Sequence, residues 1–298
     1  MRKKIDVVNS AVFAQETYDE LVYRHEHKEE FRPLRSGLTK LDQMIGGIGL
    51  DWYMVVSGQS GIGKTAMITT FLKAMGEQNV KFLFNGLEES LYEVGTRMFS
   101  MISHVQRPKM RDLDVGSDPG EWPSIVHAKD IISRYGGFWT YGLDTLEDLD
   151  AAVQEIDPDF LVIDYVQLMG SRTGRNRAEA ISEVSGYLNS LTRRKERPRG
   201  ILAAAQLNQG DNALWSKDLE RDAGIFLKVK NKMDSYGVPI LQYKDIEIAK
   251  SRYSAVGTFE VGFHGANSLF VDSDELKPIG IDSLKGTYYD PNDKGLPF

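Results

Sequence analysis

Eight consecutive residues constrain this chain more than any others. Gly58, Gln59, Ser60, Gly61, Ile62, Gly63, Lys64 and Thr65 spell G-x-x-x-x-G-K-T between an apolar, strand-length run at 52–57 and a helical pattern at 63–75. In that setting the glycines let backbone N–H groups wrap phosphates, and the helix N-terminus adds the positive end of its dipole. Lys64 reaches the β- and γ-phosphates, and Thr65 offers a hydroxyl to Mg2+. ATP and Mg2+ are the implied ligands.

Further apolar runs at 80–85, 137–141, 160–164 and 200–205 alternate with helical stretches at 89–104, 121–134, 145–156 and 176–196. This alternation implies an α/β fold, a P-loop NTPase with a mostly parallel twisted sheet and helices on both faces. Shorter runs at 225–230, 242–250, 256–263 and 268–272 imply a C-terminal antiparallel extension, while 106–120, rich in Arg, Asp, Pro and Gly, reads as a surface loop. Ahead of the sheet, 10–31 lacks Gly and Pro and spaces Phe13, Tyr18, Leu21 and Val22 at helical intervals behind a Ser10 cap. It reads as an amphipathic helix, packed either on its own domain or on a neighbouring subunit. The expected division is an N-terminal segment at 1–35, one ATPase domain at 36–275 and a tail at 276–298.

Four further residues are candidates for the chemistry. Asp164 closes the run Phe-Leu-Val-Ile-Asp, where a P-loop NTPase keeps its second Mg2+-linked carboxylate. Hydrolysis also needs a carboxylate to orient or deprotonate water, and Glu88 and Glu89 both stand just beyond the 80–85 strand. The residues alone leave these two open. Gln206, directly after the 200–205 strand, is placed to sense the γ-phosphate.

Composition excludes several classes. The chain has no cysteine, which removes disulfide scaffolds, Cys-ligated zinc, iron–sulfur clusters and cysteine nucleophiles. The five histidines form no metal-spaced cluster, and no apolar run approaches the ~20 residues that span a bilayer. With no signal-peptide pattern at the start either, no membrane association and a cytoplasmic location are expected. Against 36 basic residues stand 43 acidic ones, a net charge of −7, so any grip on nucleic acid has to be local.

Together these residues resemble the RecA-like ATPase domain of DnaB-type ring-shaped replicative helicases of bacteria and bacteriophages, over about residues 36–270. The stretch 84–98 resembles the family segment that holds the catalytic glutamate, which selects Glu88. The stretches 161–169 and 177–191 are similar to the Walker B strand and the helix after it, and 201–208 to the strand ending in the γ-phosphate-sensing glutamine, Gln206. The stretch 248–270 resembles the family's last motif, which implies that Lys250 and Arg252 reach ATP on the adjacent subunit, Arg252 as an arginine finger.

The resemblance implies an ATP-dependent, homo-hexameric DNA helicase that moves on single-stranded DNA and unwinds duplex during replication; the compact layout suits a phage. The alternatives are a RecA-like DNA-dependent ATPase without unwinding activity, recombinase-like or loader-type, and a regulatory nucleotide-binding module. Arg172, Arg175 and Arg177, after the Walker B strand, and Lys217 and Lys232, in later loops, are the candidate DNA contacts. The run Arg193–Arg199 reads instead as cations at a helix end. Residues 290–298 resemble tails through which replication proteins dock on one another. Only about 35 residues precede the ATPase core, so a primase-recruiting role is not expected.

Overall fold

Strand β1 (Tyr53–Gly58) is apolar along its whole length because both of its sides are covered: Met54 and Val56 pack into one hydrophobic layer, Tyr53 and Val55 into the other. The computed structural model describes residues 8–29, 31–169, 176–194, 197–207 and 217–276. Before β1 come α1 (Ser10–Glu26) and α2 (Thr39–Ile45); after it come α3 (Lys64–Glu77), β2 (Phe82–Gly86), α4 (Leu91–Ser103), α5 (Arg107–Arg111), α6 (Glu121–Ile132), β3 (Gly137–Tyr141) and α7 (Leu146–Ile156). The chain continues through β4 (Phe160–Asp164), α8 (Arg177–Leu191), β5 (Gly200–Gln206), α9 (Lys217–Asp222), β6 (Ile225–Met233), β7 (Pro239–Ser251), β8 (Gly257–His264) and β9 (Leu269–Asp272).

These strands form one sheet in the order β3-β2-β4-β5-β1-β6-β7-β8-β9. Pairings from β3 through β6 are parallel, and those of β7, β8 and β9 are antiparallel, as the alternating C-terminal runs imply. One face is covered by α2 and α3 through Leu41, Ile45, Phe71 and Leu72; the other by α7, α8 and α9 through Leu149, Val153, Ile181, Leu188 and Leu219. Two cross-strand pairs hold the register. Phe82 faces Gly137 and Phe160 faces Gly200, and a Cβ on either glycine would lie 2.3 or 2.2 Å from the phenylalanine ring. Each ring occupies the space its glycine leaves.

Three local expectations change. Helix α1 stops at Glu26, and its cap is Asn9, whose side chain accepts from the Val12 N–H at 3.0 Å, rather than Ser10. None of its residues is buried, so it does not pack on its own domain; Phe13, Tyr18 and Leu21 stand in solvent. The expected loop at 106–120 contains α5 and folds around a buried carboxylate: Glu121, 1% exposed, accepts from the Gly116 N–H at 2.8 Å and pairs with Lys109 at 2.5 Å. No described helix is long and apolar enough to cross a membrane.

Candidate active site

Because β1 ends at Gly58 and α3 begins at Lys64, residues 59–63 turn over the C-terminal edge of the sheet, and the unpaired first amides of α3 open into that space. Gly63 caps the helix at φ +113°, a left-handed conformation that side-chain-bearing residues rarely adopt. The Lys64 ammonium folds back over its own loop and donates to the Gln59 carbonyl at 2.9 Å. Burial lowers its pKa, while the nearby carboxylates of Asp164 and Glu88 pull it back up.

Asp164, at the end of β4, is 5% exposed, and its Oδ1 has no hydrogen-bond partner among the described residues. Burial pushes its carboxyl up to about 6, against a contact from the Thr65 hydroxyl; Glu89 and Glu88 raise it further and Lys64 opposes them. An orphaned carboxylate oxygen beside a threonine hydroxyl is a hard-oxygen donor set, and the residues fit Mg2+.

The register Gly86↔Asp164 brings the end of β2 level with the end of β4, and the Leu87 N–H donates to the Asp164 carbonyl at 2.8 Å. Glu88 follows at once, exposed at the mouth of the site. Glu89 is engaged elsewhere. Its carboxylate forms a two-pronged pair with Arg97, whose Nε donates at 2.9 Å, and Arg97 also donates to the Ser268 hydroxyl at 3.1 Å. Of the two glutamates, Glu88 has the freedom to face a ligand.

Gln206 lies beside Gly58 through the β1–β5 pairing. Its main chain is clamped by a residue that sequence reasoning did not single out. Buried Gln167 donates from Nε2 to the Gln206 carbonyl at 3.1 Å, and its Oε1 accepts from the Gln206 N–H at 3.2 Å. Arg177, exposed at the start of α8, donates to the Gln167 carbonyl at 3.3 Å.

Lys250 and Arg252 sit at the opposite edge. Because β7 runs antiparallel, Ser251 pairs with Ile225, which is level with Met54 near the start of β1. The strand from Met54 to Gly58 rises about 3.3 Å per residue, so the backbone that carries these cations lies roughly 13 Å along the strand from the level of the P-loop in the same chain. There they rest on the end of α9: Lys250 Nζ donates to the carbonyls of Glu220 and, at 2.6 Å, Arg221, and Arg252 Nη2 donates to the Arg221 carbonyl at 2.9 Å.

Of the candidate DNA contacts, Arg172 and Arg175 lie outside the described residues, as does the chain beyond residue 276. Lys217 is the exposed first residue of α9 rather than a loop residue. Lys232 is likewise not in a loop: it stands on β6, with Asp245 at 3.6 Å and Glu260 at 3.5 Å because β7 and β8 line carboxylates up beside it. Of the basic run that follows α8, Arg197 pairs with Asp157 and Asp159 at 2.7 and 3.0 Å and Arg199 with Asp157 at 2.6 Å, while residues 195 and 196 lie outside the described residues.

A family model described as the DnaB-like helicase C terminal domain matches residues 33–272. The chain belongs to this family. A replicative DNA helicase of Bacillus subtilis (strain 168), named DnaC, is 24% identical over 279 residues, which cover 86% of this chain and 60% of that protein. The replicative helicase DnaB of Helicobacter pylori is 26% identical over 189 residues, covering 60% of this chain and 38% of its own length. The chain thus spans 60% or less of these two DnaB-type relatives. Among solved structures, an isolated ATPase domain superposes with a TM-score of 0.74 at 22% identity, over 85% of this chain and 97% of that one. A DnaB-like replicative helicase, described with its interactions with primase, gives 0.73 at 20% identity, over 91% and 68%. The RecA-like sheet with its antiparallel extension is therefore the DnaB-family fold, as the sequence pattern implies.

Proposed function

We propose that this chain is the ATP-hydrolysing motor of a ring-forming DNA helicase: residues 36–275 bind ATP with Mg2+, copies assemble as a homo-hexamer, and the ring moves on single-stranded DNA and separates duplex during replication. The observation that carries the proposal is the division of one hydrolytic set between opposite edges of one sheet. Lys64, Thr65, Asp164, Glu88 and Gln206 gather at the P-loop, whereas Lys250 and Arg252 are beyond reach of it. If these two cations act on the nucleotide, a second copy supplies them.

In this reading the amides of 59–65 and Lys64 hold the triphosphate, and Thr65 and Asp164 hold Mg2+. Mg2+ held by these two residues would offset negative charge on the triphosphate. Glu88 takes the proton of the attacking water as its oxygen bonds to the γ-phosphorus, and the bridging oxygen departs with ADP. Gln206, held by Gln167, registers the loss of the γ-phosphate at the end of β5. Arg252 of the adjacent copy stabilises the charge that builds on the transferring phosphoryl group, with Lys250 beside it. Arg172, Arg175, Arg177 and Lys217 supply local phosphate contacts to DNA that an acidic surface otherwise lacks, and the tail offers a docking peptide for replisome proteins. The replicative helicases among the relatives support this reading.

The test is ATP-driven unwinding of a forked DNA, run beside sizing by light scattering. Strand separation by a hexamer is expected. DNA-stimulated hydrolysis without strand separation would point to a recombinase-like or loader-type ATPase, and nucleotide binding without turnover to a regulatory module.

A further inference from the structure

The residue that follows Arg252 is not part of the hydrolytic set, yet it is held more rigidly than the arginine itself. Tyr253 stacks on Trp52 with ring centroids 4.0 Å apart and planes within 2° of parallel. Gly224 leaves room for the stack, since a Cβ there would lie 2.6 Å from the Tyr253 ring. The turn is pinned around it: the Arg252 N–H donates to the Gly224 carbonyl at 2.8 Å, and Ser251 Oγ accepts from the N–H groups of Tyr253 at 3.1 Å and Ser254 at 2.9 Å. The Arg252 side chain, by contrast, is exposed and held to the Arg221 carbonyl through Nη2. A guanidinium has five N–H donors, so most of its capacity is left for another acceptor.

We propose that Trp52 and Tyr253 are positioning residues for Arg252, the stack fixing the turn from which the guanidinium is presented to the nucleotide of the adjacent copy. This rests on the reading of Arg252 as a finger acting in trans. A finger works only if its charge arrives in one place, and its backbone stands in the turn between β7 and β8, outside the strand ladder, where a turn without tertiary support frays. Trp52, packed against the core at the entry to β1, is a rigid surface on which to anchor it. The stack thus ties the finger to the same strand that carries the P-loop at its other end.

Full-length Tyr253→Ser, Trp52→Ala and Trp52→Phe test this. Tyr253 is 47% exposed, so its loss leaves the core intact even if Trp52→Ala folds poorly. Tyr253→Ser and Trp52→Ala should lower kcat for ATP by roughly 10-fold to 100-fold, the scale of a misplacement by about 1 Å, with KM unchanged, and Trp52→Phe should restore most of it. In the Arg252→Ala background, Tyr253→Ser should cost nothing further. Co-assembly is the decisive arm. A Lys64→Ala copy is hydrolytically dead but keeps its stack and finger, so turnover per Tyr253→Ser copy should rise in mixed rings, which a general structural defect would not allow. Parent-like turnover of both stack variants beside a slow Arg252→Ala overturns the inference and leaves the finger reading standing. Slow stack variants that gain nothing in mixed rings, or that lose further activity without Arg252, also overturn it. Full activity of Arg252→Ala removes the finger reading and the inference together.

Discussion

At the two edges of this sheet charges are kept in opposite conditions. At the P-loop edge Lys64 and Asp164 are 8% and 5% exposed, and Asp164 Oδ1 has no hydrogen-bond partner among the described residues. At the other edge Lys250 and Arg252 reach solvent, and each has a backbone carbonyl to rest on. Leaving a buried polar oxygen unpaired costs on the order of 1–3 kcal/mol, a cost a small ligand can remove. Exposed cations on neutral carbonyls cost little to release, which suits a partner that comes and goes. On the proposed reading, one edge is filled by a ligand and the other is offered to an adjacent copy.

The sharpest way to break this contrast is to remove a charge from each edge. Lys64→Ala should abolish measurable hydrolysis in a phosphate-release assay, because the side-chain cation of the cradle is gone. Arg252→Ala should bind ATP as the parent does and hydrolyse it ~10³-fold or more slowly, read by single-turnover kinetics beside equilibrium binding. Glu88→Gln should lose ~10²–10⁴-fold in kcat with ATP still bound, and Glu89→Gln far less, since Glu89 is committed to Arg97. A larger loss in Glu89→Gln than in Glu88→Gln would reverse the assignment.

A smaller effect sharpens the comparison through pH. Folded Asp164 keeps its proton to about pH 6, whereas an ordinary aspartate releases it near 3.8, so between those values the folded chain binds more protons than the unfolded one. Stability of the metal-free chain should therefore fall as pH rises through that window, by roughly 2–3 kcal/mol from this group, and level off above it. Asp164→Asn should flatten the trend in urea midpoints measured against pH, and Mg2+ with nucleotide should weaken it. The smallest expected effect is that of Lys232→Ala: its pairs with Asp245 and Glu260 are long and partly exposed, and stability should move by less than about 1 kcal/mol.

What could be read in advance was whatever is local along the chain. The P-loop is contiguous and lies where a strand hands over to a helix, and Asp164 ends an apolar run that has to be buried, so both were legible with their surroundings. Choosing Glu88 over Glu89 from the residues alone was not possible, because the contact that sets them apart is a pair between Glu89 and Arg97 eight positions away. Gln167 escaped notice for the same reason: its partner is the main chain of Gln206, 39 positions on. Lys232 seemed a loop cation because the acids beside it come from two later strands, and α5 was hidden in a stretch whose composition favours turns but whose fold is organised by buried Glu121. Side-chain-to-backbone clamps and cross-strand charges leave no periodic trace.

The two phenylalanine–glycine pairs carry a consequence for how such a chain can change over generations. Phe82 over Gly137 and Phe160 over Gly200 lie at the start of their strands, while Gly86 and Asp164, which bring Glu88 and the orphaned carboxylate level with each other, lie at the end. A bulkier residue at either glycine must push its phenylalanine aside, and a one-residue slip would turn every side chain of the strand to the wrong face. Either position of a pair is thus hard to alter singly and easier to alter together with the other. In a collection of descendants, these sites would drift as couples, and in a mutational scan they would mimic catalytic positions from the far end of the sheet.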